Sequence, residues 1–265
     1  MTLFTIIFLT VGFRGSSQSV KEVEKCYVYQ HQYKFGVPAK EGTLIEIRFY
    51  KNDRLVKKQY VNQFKRKRDY VLYKYNKSGK VLTETGFSRR KRKVLMKVYK
   101  YTNFGKPASL KIFNSRGKLT EKTVWEYLNG KTYFHKKTIY DSHGIRKSTV
   151  VEKSNEHGQR MAGSLYGRKH KKILGFEVKE TDSLGNETLI EFTKPEGEHY
   201  KTVTKQYDAQ NRLVYEFQEG QKKIKYFYKN NRLKKEVNYN VLTDEPIMLR
   251  RYVYLTDKKS NRNSN

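Results

Sequence analysis

The chain has one cysteine, four prolines and one tryptophan in 265 residues. A single cysteine excludes an internal disulfide, so nothing covalent staples the fold. Cys26 lies in Cys26-Tyr-Val-Tyr29 and reads as a small hydrophobe on a first strand. The residues before it, Val23-Glu24-Lys25, lack the apolar and small side chains of a lipoprotein anchor. Acid is scarce: 26 Asp and Glu face 57 Lys and Arg, a net charge of +31. No apolar run is long enough to cross a bilayer as a helix. Helical periodicity of useful length is absent as well.

Hydrophobic residues make only 36% of the chain and charged residues 31%. Low apolar content with high net charge ordinarily marks disorder. The aromatic residues point the other way. There are 22 Tyr and 14 Phe, spread along the whole chain. Tyrosines bury a ring face and keep a hydroxyl for a polar partner, so they can build a core where aliphatics are few. With Val, Ile and Thr they are also the residues that suit strands.

The N-terminus runs Met1-Thr-Leu-Phe-Thr-Ile-Ile-Phe-Leu-Thr-Val-Gly-Phe13, then Arg14-Gly-Ser-Ser-Gln-Ser19. A short apolar run followed by small polar residues resembles a secretory signal, although no Lys or Arg precedes it. The expectation is export, with residues 1–19 removed. A buried first strand is the alternative.

Internal similarity organises the rest. Tyr75-Asn-Lys-Ser-Gly-Lys-Val-Leu82 matches Tyr101-Thr-Asn-Phe-Gly-Lys106 and Phe113-Asn-Ser-Arg-Gly-Lys-Leu119. Tyr140-Asp-Ser-His-Gly-Ile145, Thr181-Asp-Ser-Leu-Gly-Asn186 and Tyr207-Asp-Ala-Gln-Asn-Arg-Leu213 follow. Two copies are a residue shorter, Tyr50-Lys-Asn-Asp-Arg-Leu55 and Tyr228-Lys-Asn-Asn-Arg-Leu233. Asp or Asn starts the turn by bonding its own backbone ahead. Gly, or Asn, takes the left-handed conformation that closes it with a bulge. Between turns, apolar and polar residues alternate: Ile45, Ile47 and Phe49 are interleaved with Glu46 and Arg48. Ile224, Tyr226 and Tyr228 share a face in the same way. Period-two alternation marks antiparallel strands packed on one side.

The pattern Tyr207-Asp208…Asn211-Arg212-Leu213, with Tyr140-Asp141…Gly144, resembles the YD repeat of rearrangement-hotspot (RHS-like) proteins. The short copies are similar to variant MORN repeats. The resemblance covers roughly residues 43 to 255 and implies a stand-alone exported repeat protein with no transferable catalytic residue. Tyr75 and Phe113 are followed by Asn, and Gly144 by Ile145, so the copies depart from the YD pattern.

The sequence therefore predicts an all-β fold. It would be an extended, twisted antiparallel meander of about eight β-hairpin repeats over residues 20–255, with an irregular insertion at 154–172 and a disordered tail at 256–265.

Three basic clusters interrupt the repeat: Lys65, Arg66, Lys67, Arg68; Arg89, Arg90, Lys91, Arg92, Lys93; and Arg168, Lys169, Lys171, Lys172 around His170. Loops two strands apart share a sheet edge, which places the first two clusters roughly 10 Å from each other. Phe64, Tyr70 and Phe87 lie nearby and could stack bases or sugars. These clusters are the candidate polyanion-binding residues; a solvated or gatekeeping charge run is the bland alternative. The six histidines show no metal-ligand spacing. Asp141, Asp182 and Asp208 recur at equivalent turns and need no catalytic explanation. The expected function is an exported, non-catalytic binding or structural module at the cell envelope, in the periplasm, on the outer-membrane surface or outside the cell. Its partner would be lipopolysaccharide, an acidic glycan or nucleic acid, or else an envelope protein, with no cofactor. A nucleic-acid binder using the basic loops is one alternative. An envelope hydrolase around His157, His170, Glu198 and His199 is another.

Overall fold

The computed structural model describes residues 23–62, 64, 66–128 and 134–256. The segment 1–19 and the tail beyond residue 256 lie outside the described residues, as does Lys65.

Every element is a strand. The first third holds β1 (Glu24–Lys34), β2 (Val37–Pro38), β3 (Thr43–Lys51), β4 (Arg54–Val61), β5 (Lys67–Tyr75), β6 (Val81–Phe87) and β7 (Lys93–Tyr101). Then come β8 (Pro107–Asn114), β9 (Leu119–Tyr127), β10 (Phe134–Asp141), β11 (Arg146–Ser154), β12 (Arg160–Tyr166) and β13 (Lys172–Thr181). The chain continues with β14 (Glu187–Thr193), β15 (His199–Tyr207), β16 (Leu213–Gln218), β17 (Lys222–Lys229), β18 (Arg232–Tyr239) and β19 (Pro246–Thr256). From β3 to β19 each strand pairs antiparallel with the next.

The sheet closes on itself. β1 pairs on one side with β3, Val28 opposite Glu46, and on the other with β19, Val28 opposite Tyr252. The short β2 only folds back on the end of β1. The fold is thus a closed antiparallel barrel of 18 strands, and the expectation of an extended open meander is corrected. An open ribbon would leave two edges of unpaired N–H and C=O groups. Pairing the first strand with the last removes both. Barrels of 16–18 strands are wide enough to hold an aqueous interior. Substantial contacts between elements run only between neighbours around the ring.

The repeat sets this geometry turn by turn. Asp141, Asp182 and Asp208 each accept two backbone N–H bonds from residues two and four ahead, at 2.9–3.0 Å. The two short copies are two-residue turns in which Asn52 and Asp53, and Asn230 and Asn231, all have positive φ. That is the type I′ geometry that matches strand twist. Tyrosines that end strands β5, β7 and β9 have their own task. Tyr75, Tyr101 and Tyr127 each donate the hydroxyl to a backbone carbonyl 20 residues earlier, at Leu55, Val81 and Pro107, all at 2.7 Å.

Residues 154–172, expected to be irregular, form β12 and two five-residue turns. Asn155 N–H donates to Gln159 O at 2.9 Å and Gly167 N–H to Lys171 O at 2.9 Å, as in the other turns. The expected insertion is two more copies of the repeat's own turn.

Register divides the side chains into two faces. Cys26, Val28, Glu46, Arg48, Tyr73, Glu84, Tyr99, Glu216, Ile224, Tyr226, Glu236 and Tyr252 belong to one set. These are buried or half-buried, so this face lines the interior. The other face carries exposed Lys74, Lys153, Glu177, Lys179, Lys225, Lys235 and Arg251 in mid-strand, interspersed with buried Ile47, Gln59, Thr138, Thr149, Val237 and Leu249. The best-packed interior cluster, Cys26, Val28 and Tyr252, sits at the closure between β1 and β19.

Candidate anion-binding site

The interior is polar but neutralised. Glu84 takes Lys97 at 3.1 Å and the Tyr99 hydroxyl at 2.6 Å. Glu236 takes Arg250 and Tyr252, both at 3.1 Å. Glu216 accepts from Lys222 at 2.8 Å, and Glu46 from Arg48 at 2.5 Å. Burial first, then these carboxylates, push the tyrosines up: Tyr73 and Tyr226 reach about 12. Paired charges at this depth hold the wall together.

The two ends of the barrel differ. At the end where β1 begins, the turns hold Lys77, Lys80, Lys106 and Arg212 against Asp53, Glu156, Asp182 and Asp208. At the opposite end the turns carry all three basic clusters. That rim is itself divided. Arginine and lysine crowd the β4–β5, β6–β7, β8–β9 and β12–β13 turns, while Glu196, Glu198, Glu219, Asp244 and Glu245 occupy those from β14 to β19.

The structure brings the first two clusters together. Asn62, Arg66, Arg68, Asp69, Ser88, Arg89, Arg90 and Arg92 line one groove of about 530 Å³ between the β4–β5 and β6–β7 turns. Asp69 Oδ1 accepts the backbone N–H of Arg89 at 3.1 Å and ties the two turns at their base. Asn62 Oδ1 accepts from Arg66 N–H at 2.9 Å and shapes the first turn. Lys67, Lys91 and Lys93 are exposed outside the groove lining. Arg168, Lys169, Lys171 and Lys172 lie on the same rim, six strands further round, in the β12–β13 turn. Arg146 holds that turn: its guanidinium meets the His170 ring and donates to Arg168 O at 2.7 Å. Sequence reasoning missed Arg146, because nothing local links it to a loop more than 20 residues away.

Backbone conformation separates these turns from the rest. In the other five-residue turns the left-handed position is Gly79, Gly105, Gly117, Gly144, Gly158, Gly185, Gly197 or Asn211. In the two described basic turns it is Lys91, φ 59°, and His170, φ 58°. A residue with a Cβ in this region costs about 1–2 kcal/mol. Here the turn forgoes its glycine in favour of a basic side chain.

The neighbouring aromatics are already engaged. Tyr70 and Phe87 stack on each other at 5.0 Å and 13°. Lys57 Nζ covers Tyr70 at 4.8 Å and Phe49 at 5.3 Å. Phe64 alone stands out at the turn, 69% exposed. Base stacking by Tyr70 and Phe87 has no free ring sandwich to use.

The hydrolase candidates are dispersed or engaged. His157 and Glu156 are exposed on the opposite end from His199. His199 lies between Glu219, 3.0 Å, and Glu191, 3.4 Å, and these raise its pKa. Among the described residues no group of three metal-ligating side chains converges.

No protein-family model matches the chain, and no curated protein matches it in sequence. A solved porin-like protein from Bacteroides uniformis is 10% identical, aligned over 90% of this chain and 96% of that one, with a TM-score of 0.47. A TcdB2–TccC3 structure is 11% identical over 84% of this chain and 15% of its own, with a TM-score of 0.30. A DUF1329 family protein from Desulfovibrio piger is 10% identical over 90% of this chain and 87% of its own, with a TM-score of 0.20. Scores this low do not establish a shared fold.

Proposed function

We propose that this protein is an exported, non-catalytic barrel of the cell envelope that binds an anionic polymer on one cationic rim. The observation that carries the reading is the pair Lys91 and His170. A solvated charge run needs no strained backbone, and glycine holds the left-handed position in the other described five-residue turns apart from that of Asn211. Strain retained at a turn is a mark of function rather than of folding. The interior's paired charges and the rim's unbalanced ones support the same division: wall below, binding surface above.

The outward face bears on where the barrel works. A wall embedded in lipid needs an apolar band, and each Lys or Arg at mid-depth would cost about 2–4 kcal/mol. Lys74, Lys153, Lys225, Lys235 and Arg251 all face outward. The reading is therefore a barrel surrounded by water, acting at the envelope without crossing a bilayer.

The test is retention on immobilised heparin as a function of salt. Neutralising Arg89, Arg90 and Arg92 to Gln should lower affinity and flatten the slope of log affinity against log salt. A slope equal to that of the unaltered protein would sink the reading. Export is tested separately, by the mature N-terminus and cell fraction of the native protein.

A further inference from the structure

We infer that the groove between the β4–β5 and β6–β7 turns is a site for a phosphomonoester, the doubly charged terminal phosphate of a sugar or lipid headgroup. The inference rests on the polyanion reading above and narrows it to one group at one place. Five arginines line the groove, Arg66 and Arg68 from one side and Arg89, Arg90 and Arg92 from the other. Among the described residues no lysine lines the groove, although Lys67, Lys91 and Lys93 are adjacent in sequence. Guanidinium is the planar, forked donor that meets tetrahedral oxyanions through paired hydrogen bonds.

Charge sets the class of anion. Asp69 is the one carboxylate in the lining, and one of its oxygens is taken by the Arg89 amide. Among the described residues no ion pair joins a carboxylate to any of the five guanidiniums, whereas interior Glu46, Glu84, Glu216 and Glu236 each have a basic partner. The groove thus holds about four uncompensated positive charges in roughly 530 Å³. A carboxylate or a sulfate ester brings one negative charge. A phosphomonoester brings nearly two above its second ionisation, near pH 6, and three acceptor oxygens. Nucleic-acid diesters bring one charge per phosphate and rely on ring faces for the rest. Tyr70 and Phe87, two rings beside the groove, are spent on each other and on Lys57, which leaves Phe64 as the one exposed ring face at the described part of the turn. The site is also preset. Asn62, Ser88 and Asp69 hold the two turns by side-chain bonds to Arg66 N–H, Arg92 N–H and Arg89 N–H, so the arginines need not order the backbone.

Isothermal titration of the full chain with methyl phosphate and methyl sulfate at pH 8 tests this directly. The two esters share shape and differ in charge. Methyl phosphate should bind at least tenfold more tightly, lose that advantage at pH 5, and lose it in R89Q/R92Q. The K77Q variant, which removes an exposed charge from a turn at the opposite end of the barrel, should keep it, and circular dichroism confirms folding of both. Vesicles containing phosphatidic acid, against phosphatidylglycerol, separate a lipid source from a soluble one; preference for either form of monoester supports the site. Equal binding of methyl phosphate and methyl sulfate, with heparin retention preserved, overturns the inference and leaves the polyanion reading standing. Loss of heparin retention as well removes both. An oligo-dT that outcompetes methyl phosphate at equal phosphate concentration also overturns it, in favour of nucleic acid.

Discussion

Tyr252 donates its hydroxyl to Glu236 at 3.1 Å across the junction of β19 with β18, while Arg250 on the same strand holds the other carboxylate oxygen. The same arrangement recurs as Tyr99, Lys97 and Glu84 between β7 and β6. Tyr252 is 4% exposed and also packs on Cys26 and Val28 at the closure. Removing only the hydroxyl in Y252F deletes one bond to a charged acceptor, an expected loss of about 1.5–3 kcal/mol. Urea unfolding measures it. A change below about 0.5 kcal/mol would show that the closure does not depend on this bond.

Interior tyrosines should make the barrel sensitive to alkali. Burial, then Glu84, raises Tyr73 to about 12; burial, then Glu216 and Glu236, raises Tyr226 to about 12. A raised folded-state value means the stabilisation is full below the ordinary tyrosine range near pH 10 and is lost as pH climbs through the folded value. Absorbance at 295 nm should show a group of tyrosines ionising only as far-UV structure collapses above about pH 11. A smooth titration centred near pH 10 with the structure intact would contradict the interior assignment.

His199 should stabilise the acidic half of the rim in a limited window. Bonds from Glu219 and then Glu191 raise His199, while His199 lowers both carboxylates. The carboxylates contribute above their unfolded range and the imidazolium below the unfolded histidine range. The difference in Tm between the native protein and H199Q should peak between about pH 5 and 6 and vanish above about pH 8. A pH-independent difference would mean the ring acts by packing alone.

Strain at the basic turns predicts a trade. K91G and H170G should each raise stability by up to about 1 kcal/mol, since glycine adopts the left-handed conformation freely. Each should weaken heparin retention. Gains in stability with no loss of retention would leave the strain without a functional account.

Gly163 on β12 lies beneath the Phe176 ring, and a Cβ there would approach Val151 O to 2.6 Å. G163A should cost about 1–3 kcal/mol through overpacking. Thermal melts of G163A beside G117A, which meets open space but has positive φ, separate crowding from backbone strain.

The turns were legible in the sequence because their chemistry is local. Asp208 and Asn211 announce a turn without reference to anything else in the chain. Alternation likewise gave the strands and the shared face of Ile224 and Tyr226, but in β3 it favoured Ile45, Ile47 and Phe49 as the packed face, whereas the register sets Glu46 and Arg48 with Tyr73 and Tyr226. Closure was not legible, since Val28 and Tyr252 carry no mark that they are partners across more than 200 residues. An open and a closed sheet share every local signal. The misread stretch 154–172 has two causes. Asn155…Gly158 follows the repeat pattern and was there to be seen. The turn at Gly167–Lys171 hides because His170 stands where the pattern has glycine. The groove was half legible: meander geometry put the two basic turns side by side, but not the sorting of arginine from lysine.

The pairing of β1 with β19 also orders events in time. A chain made from its N-terminus holds β1 ready long before β19 exists, and nothing else in the ring can cover that second edge. The barrel cannot close before β19 has been made. Residues Pro246–Thr256 act as the clasp of a bracelet, and until they arrive the molecule is an open ribbon. Such long-range pairing is slow to form. A chain cut before residue 246 should remain a sticky, unfinished strip.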